Sequence, residues 1–302
     1  MMPYKNQLDL HTHSDNSPDG RHSVTLMCEA ALREGIRALA ITDHCECNAY
    51  IHCSEDKPED QRYDHYDRRA RQSAFEVMKA RAVFSGRLLV LCGVELGQPL
   101  QDENAARDVL SACPFDFVLM SLHNLAGRQD FYYLDYSLPE NQPLILLKQY
   151  FDELLRMAEI CDYDALAHMT YPLRYMTGIH GIAVNLRDFS EEIDAILKTL
   201  VRRGKALEIN TSGLFPPAAE EEEEEASSLP NGGALGELFP SPWIIKRFRE
   251  LGGEYVTVGS DAHNADDIGR GFVEAVQAAE EAGFANLTLY QRREPVLIKI
   301  EN

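Results

Sequence analysis

Leu8-Asp9-Leu10-His11-Thr12-His13, close to the amino terminus, joins a short apolar run to two histidines spaced i and i+2. Apolar residues around a single acid fit a strand buried on both faces, and on a strand positions i and i+2 point to the same side. His11 and His13 can therefore grip one ion together. Counting Leu8–Leu10, the chain holds seven short apolar or β-branched runs, the others being Ala38–Thr42, Leu88–Val94, Phe115–Ser121, Ala165–Ala167, Ala206–Ile209 and Tyr255–Val258. Helical patterns lie between them. One is Val24, Met27, Cys28, Ala31 and Leu32, with Ser23 as cap and Gly35 as stop. Another is Ile193, Ile196, Leu197, Leu200 and Val201, ended by Gly204, and a third opens at Ser241-Pro242 and stops at Gly252-Gly253. Strand–helix alternation over this length implies a parallel sheet, and seven units imply a closed or nearly closed barrel.

Every one of the seven strands ends in a group able to bind metal or donate a hydrogen bond. Strand one ends in His11 and His13, strand two in Thr42-Asp43-His44, strand three in Glu95 and strand four in His123. Strand five ends in His168, strand six in Asn210 and strand seven in Asp261 and His263. Six of the ten histidines occupy such ends, whereas His22, His52, His65 and His180 fall in loops or helices. The carboxyl ends of parallel barrel strands form the catalytic face, so the joint pattern predicts a metal cluster there. Mixed imidazole and carboxylate ligands suit zinc, iron or manganese better than magnesium or calcium.

Bulk properties bound the partners. The net charge of −20 opposes nucleic-acid binding, which relies on clustered Lys and Arg. A small anionic phosphate remains compatible if metal ions supply local positive charge. No run approaches the roughly 20 apolar residues of a membrane helix, and the amino terminus lacks a signal pattern, so a cytoplasmic protein is expected. Seven cysteines, an odd number, fit reduced thiols; Cys45, Cys47 and Cys53 lack the second half of a zinc site. One domain over 1–302 is expected. Its exception to the strand–helix rhythm is 215–240, where prolines, glycines and the run Glu220–Glu225 predict a solvated, flexible acidic loop. The oligomeric state is left open.

Taken together, Asp9–Ser14, Ser17-Pro18-Asp19-Gly20, Ile41–His44, Gly93-Val94-Glu95, Ser121-Leu122-His123, Glu208-Ile209-Asn210 and Gly259–His263 resemble the polymerase and histidinol phosphatase family, in order, from residue 8 to about 300. The segments His123-Asn124-Leu125, Asp130–Ser137 and Gly259–Gly271 resemble its histidinol-phosphatase branch. The resemblance implies a distorted seven-stranded (β/α)7 TIM-like barrel with a metal cluster at the strand carboxyl ends. It implies that His11, His13, Glu95 and Asp261 hold a first metal, that Glu95 bridges to a second completed by His123 and His168, and that Asp19, His44 and His263 hold a third. Asp19 rests mainly on the resemblance, since Ser-Pro-Asp-Gly is otherwise an ordinary turn.

The implied reaction is hydrolysis of a phosphate monoester, L-histidinol phosphate first, by a hydroxide that two to three divalent transition metals activate. Another small phosphate, such as a nucleotide or sugar phosphate, is the alternative. Arg174, six residues beyond His168, is the expected phosphate contact and a catalytic group beside Glu95 and Asp261. Asn210, Glu46 and Asp135 are the further substrate-binding candidates, the two acids for a cationic tail. One departure from the branch is that Leu214-Phe215-Pro216-Pro217 follows Gly213 where a basic residue is usual, with Arg21 or Arg270 as replacements.

Overall fold

Short β-branched and leucine-rich runs bury well on both faces, and each of the seven becomes a strand. The computed structural model describes residues 4, 7–48, 66–216 and 234–301. In chain order the strands are β1 (Gln7–Asp9), β2 (Ile36–Ile41), β3 (His44–Glu46), β4 (Leu89–Gly97), β5 (Phe117–Ser121), β6 (Ala165–Leu166), β7 (Ala206–Asn210) and β8 (Val256–Gly259). All pair in parallel in the order β1-β2-β4-β5-β6-β7-β8. β3 continues β2 in the same register along β4, with Ala38 opposite Leu89 and His44 opposite Glu95, so the two pieces act as one barrel strand. Backbone hydrogen bonds from Leu10 N to Val258 O (2.9 Å) and Asp261 N to His11 O (2.8 Å) bring the last strand back to the first. The result is the seven-stranded, nearly closed barrel that the sequence predicts.

The helices between strands are α1 (Val24–Arg33), α2 (Tyr66–Phe84), α3 (Glu103–Leu110), α4 (Pro143–Ile160), α5 (Ser190–Arg203), α6 (Pro242–Glu250) and α7 (Phe272–Ala282). Ser23 caps α1 by accepting from Leu26 N, and Gly204 ends α5 in the left-handed conformation that only glycine adopts freely. One continuous core runs from Leu39 and Leu119 in the barrel to Leu154 on α4 and Phe248 on α6, all fully buried. Each such side chain contributes about 1.5–3 kcal/mol relative to exposure. No helix among the described residues is long and apolar enough to cross a membrane.

Two features depart from the sequence reading. An antiparallel hairpin, β9 (Asn286–Gln291) with β10 (Glu294–Lys299), follows α7 at the amino-terminal end of the barrel. Its two-residue turn is Arg292-Arg293, which lacks the glycine or asparagine that usually marks such a turn. The second concerns the acidic loop. Glu220–Glu225 lies outside the described residues, but the carboxyl-terminal part of 215–240 packs rather than floats. Phe239 is fully buried, and it exchanges backbone hydrogen bonds with Asn210 of β7 (2.8 and 2.9 Å).

Candidate active site

Because parallel strands all point the same way, their carboxyl ends deliver side chains to one place. His11 and His13 leave the end of β1, Glu95 sits on β4, and Asp261 follows β8. His11 Nε2 lies 3.4 Å from Glu95 Oε2 and 3.5 Å from Asp261 Oδ1, and His13 Nε2 lies 3.6 and 3.3 Å from the same two oxygens. Glu95 turns its other oxygen the other way. Glu95 Oε1 is 3.1 Å from His123 Nε2 and 2.8 Å from His168 Nε2, which are 3.4 Å apart. A third set forms where Asp19 Oδ2 lies 3.6 Å from His44 Nε2 and 3.2 Å from His263 Nε2, themselves 3.4 Å apart. The sets are contiguous, since His13, His44 and His263 also converge.

These separations suit a divalent metal. Arms of about 2.0–2.1 Å to nitrogen or oxygen give a tetrahedron with edges of about 3.3–3.4 Å. Among the described residues, His11 Nε2 and His13 Nε2 are buried without a hydrogen-bond partner, and Glu95 Oε2, which they approach, also lies 2.7 Å from His44 Nδ1. Leaving a buried polar atom unpaired is destabilising by about 1–3 kcal/mol, and two such imidazole nitrogens converging on one carboxylate oxygen match the demands of a cation.

The electrostatics follow from burial and neighbours. Burial opposes a charged His11, but Glu208, Asp261 and Glu95 outweigh it and raise its pKa well above the imidazole range. His13, equally buried but flanked by His263 and His44, is pushed down to about 3. Burial also opposes ionised Glu95 and Asp261, yet both are held well below the carboxylate range, Glu95 by His44, His123 and His11 and Asp261 by His11 first. The cluster combines the fixed carboxylates Glu95 and Asp261 with imidazoles, a mixed donor set of the kind a divalent transition metal takes.

A layer of acids and amides behind the cluster fixes ring orientation. Glu208 Oε1 lies 2.7 Å from His11 Nδ1, and Glu208 Oε2 accepts from His168 N at 2.7 Å. Glu46 Oε1 lies 2.9 Å from His123 Nδ1 and 3.3 Å from His44 Nδ1. Gln98 donates to Glu46 and accepts from His123 N at 3.1 Å. Asp9 accepts from Ser260 N and Oγ (2.9 and 2.6 Å) and from Gly269 N (2.8 Å), tying β1 to the loop that carries Asp261. Carboxylates behind imidazoles are how metal-binding histidines are usually held. Glycine is required at 259, where a Cβ would stand 2.3 Å from His11 Cβ and 2.6 Å from Glu208 Oε1. Asp261 itself has φ +59°, a strained conformation of the kind found at functional sites.

Beside the cluster opens a pocket of about 300 Å³ whose wall includes Asp19, Arg21, Asp130, Arg174, Asp261 and Arg270. Arg174 donates to Ser212 and lies 3.4 Å from Asp261 Oδ2. Arg270 stacks on Phe215 and pairs with Asp267 at 3.0 Å. Three candidates from the sequence do not reach this wall. Glu46 is spent behind His123 and His44. Asn210 is fully buried and accepts from Ser212 N at 3.0 Å. Asp135 is exposed and turned to Ser137, accepting from its N at 2.9 Å. The acid of that segment that lines the pocket is Asp130, accepting from Tyr171 OH at 3.0 Å and Tyr132 N at 2.8 Å. Exposed His180 rests on Tyr136, away from the pocket. Cys45 and Cys47 are buried, and Cys53 lies outside the described residues.

Comparison with known proteins agrees in extent and in kind. A probable histidinol-phosphatase of Thermotoga maritima is 27% identical over 282 residues, covering 93% of this chain and 95% of that protein. The histidinol-phosphatase of Lactococcus lactis is 24% identical, covering 94% of each. The solved structure of the Lactococcus lactis histidinol phosphate phosphatase, complexed with zinc, L-histidinol and phosphate, superposes with a TM-score of 0.69 at 21% identity, covering 98% of this chain and 99% of that one. A putative histidinol phosphatase of Listeria monocytogenes gives 0.71 at 20% identity, covering 89% of this chain and 99% of that one. The family model described as the PHP domain matches residues 9–212. That span opens at Asp9, two residues before His11, and closes at Ser212 beside Arg174, and on this match the chain belongs to the PHP-domain family.

Proposed function

We propose that this chain is a metal-dependent phosphomonoesterase that converts L-histidinol phosphate to L-histidinol and inorganic phosphate, a step of histidine biosynthesis. The observation that carries the reading is the convergence of nine ligand-type side chains in three contiguous sets, two of them sharing Glu95, against a pocket walled by Arg174 and Asp130. His11, His13, Glu95 and Asp261 would hold one divalent ion, Glu95, His123 and His168 a second, and Asp19, His44 and His263 a third. The donor set suits zinc, iron or manganese. Bound there, such ions supply positive charge for phosphoryl oxygens and acidify water.

The chain's own residues do the rest. Arg174, fixed by Ser212 and Asp261, meets the phosphoryl oxygens with a planar fork suited to them. Asp261 Oδ2, at the pocket wall, can take a proton from the attacking water and return it to the leaving alkoxide. Asp130 offers a carboxylate to the cationic amine of the substrate. Glu208 and Glu46 keep imidazoles oriented. The relatives' printed names and the histidinol and phosphate bound in the Lactococcus lactis protein support the substrate.

A second reading, another small phosphate such as a nucleotide or sugar phosphate, is favoured by Leu214-Phe215-Pro216 in the place of a basic residue. Comparing kcat/KM over a panel of phosphates separates the two. Histidinol phosphate should lead by at least about tenfold, which needs only about 1.4 kcal/mol of extra transition-state binding. Arg174→Ala should lower turnover of every phosphate alike, and Asp130→Asn should lower only that of histidinol phosphate. Equal or better turnover of a nucleotide or sugar phosphate removes the substrate assignment and leaves the metallophosphatase standing.

A further inference from the structure

The opposite end of the barrel carries a second cavity, open and about 880 Å³ in volume, between the amino-terminal ends of β2 and β4 and the β9–β10 hairpin. Four arginines, Arg37, Arg81, Arg87 and Arg292, line it against two acids, Asp116 and Glu294. In a chain of net charge −20 this is a concentrated positive surface. Arg81 is already committed, donating to Asp116 and to Val90 O (2.8 Å). Arg87 donates to Val83 O at 3.1 Å. The side chains of Arg37 and Arg292 have no hydrogen-bond or ion-pair partner among the described residues.

Arg292 and Arg293 form the hairpin turn with φ +53° and +68°, where a residue bearing a Cβ is disfavoured and asparagine or glycine is usual. Arg293 has a structural use there, since it pairs with Asp164 and with Asp162 (2.9 Å). Arg292 has none through its side chain. The turn is held by Asp116, whose Oδ1 and carbonyl oxygen accept from the amides of residues 292 and 293 (3.0 and 2.9 Å). The hairpin turn itself accounts for the positive φ, and it places the Arg292 guanidinium at the cavity mouth with its donors available to a ligand.

We propose that this cavity binds a small anion bearing two or more phosphate groups, of the nucleoside diphosphate class. Several guanidiniums with spare donors can grip neighbouring phosphates bidentately. Leu89, 37% exposed, and half-buried Val296 give the wall an apolar strip against which a flat base can lie. The volume falls within the roughly 300–1,000 Å³ of small-molecule sites. Leu89 and Glu95 are six residues apart on β4, so this cavity lies roughly 20 Å from the histidine cluster. The inference does not rest on the proposed phosphatase reaction.

Isothermal titration of ADP, with magnesium in excess, into the metal-loaded full chain tests it. The comparison proteins are the double variant Arg37→Gln/Arg292→Asn and Arg174→Ala. Asparagine tolerates the left-handed backbone at 292, which keeps the variant foldable. The double variant should bind ADP at least about tenfold more weakly, with kcat/KM for the phosphatase substrate unchanged, while Arg174→Ala should bind ADP as the native chain does. AMP should bind more weakly than ADP. Absence of ADP binding to the native chain, equal affinity of the double variant, or loss of ADP only in Arg174→Ala would each overturn the proposal, the last by placing ADP in the catalytic pocket.

Discussion

The two ends of this barrel are built from the same strands and carry opposite chemistry. At the carboxyl end, six histidines and three carboxylates crowd together, with His11 Nε2 3.4 Å from Glu95 Oε2 and His13 Nε2 3.3 Å from Asp261 Oδ1. At the amino end, the buried acids Asp116 and Asp164 are each closed off by an arginine, while the side chains of Arg37 and Arg292 at the surface have no partner among the described residues. Arg293 holds Asp164, Arg81 holds Asp116, and the hairpin amides complete Asp116. The difference separates what a fold needs from what a reaction needs. Paired charges hold a barrel shut, whereas convergent unpaired ligands make sense only with a cation.

Substitutions at the two ends should therefore fail in different ways. The largest effect is expected at the carboxyl end, where Glu95→Gln and His44→Ala should each lower kcat by at least roughly a hundredfold in protein that remains folded. Near-native rates in a folded variant would show that the cluster is not the working site. One layer further out, Glu208→Gln keeps the shape of the side chain and removes the anion behind His11. It should weaken metal affinity by about 10–100-fold, as loss of a carboxylate behind an imidazole does, and competition with a chromogenic chelator measures it. At the amino end, Arg293→Ala should leave turnover intact and lower stability by about 1–3 kcal/mol, because buried Asp164 loses its cation and keeps the Val118 amide as donor. Urea unfolding reads that change, and a loss of kcat there would mean that the two ends are coupled.

Much of the carboxyl end was legible in the sequence because two local signals coincide. Buried parallel strands announce themselves as apolar runs, and the polar residue that ends each run must lie on one face. That reasoning reached His11, His13, His44, Glu95, His123, His168, Asp261 and His263 without any knowledge of the path between them. It could not reach the functions of residues whose partners are remote in sequence. Asp9 meets Ser260, 251 residues away, and Glu208 meets His11, 197 residues away. The available signal was an acid inside an apolar strand, as in Leu8-Asp9-Leu10 and Leu207-Glu208-Ile209, a residue that has to find a partner. Asp130 and Asp135 show the limit. Both belong to one segment, and only its path over Tyr171 and Tyr132 brings Asp130 to the pocket and leaves Asp135 in solvent. The base hairpin was hidden for another reason, since its turn is made by two arginines.

The central claim is that the carboxyl-end cluster holds more than one metal ion, and elemental analysis of protein purified without chelators tests it most directly. Nine ligands are more than the four of a single tetrahedral ion, so the expected content is two to three equivalents of zinc, iron or manganese, with activity lost on chelation and regained on adding metal back. Less than one equivalent, with no activity regained on adding manganese or zinc, would contradict the account.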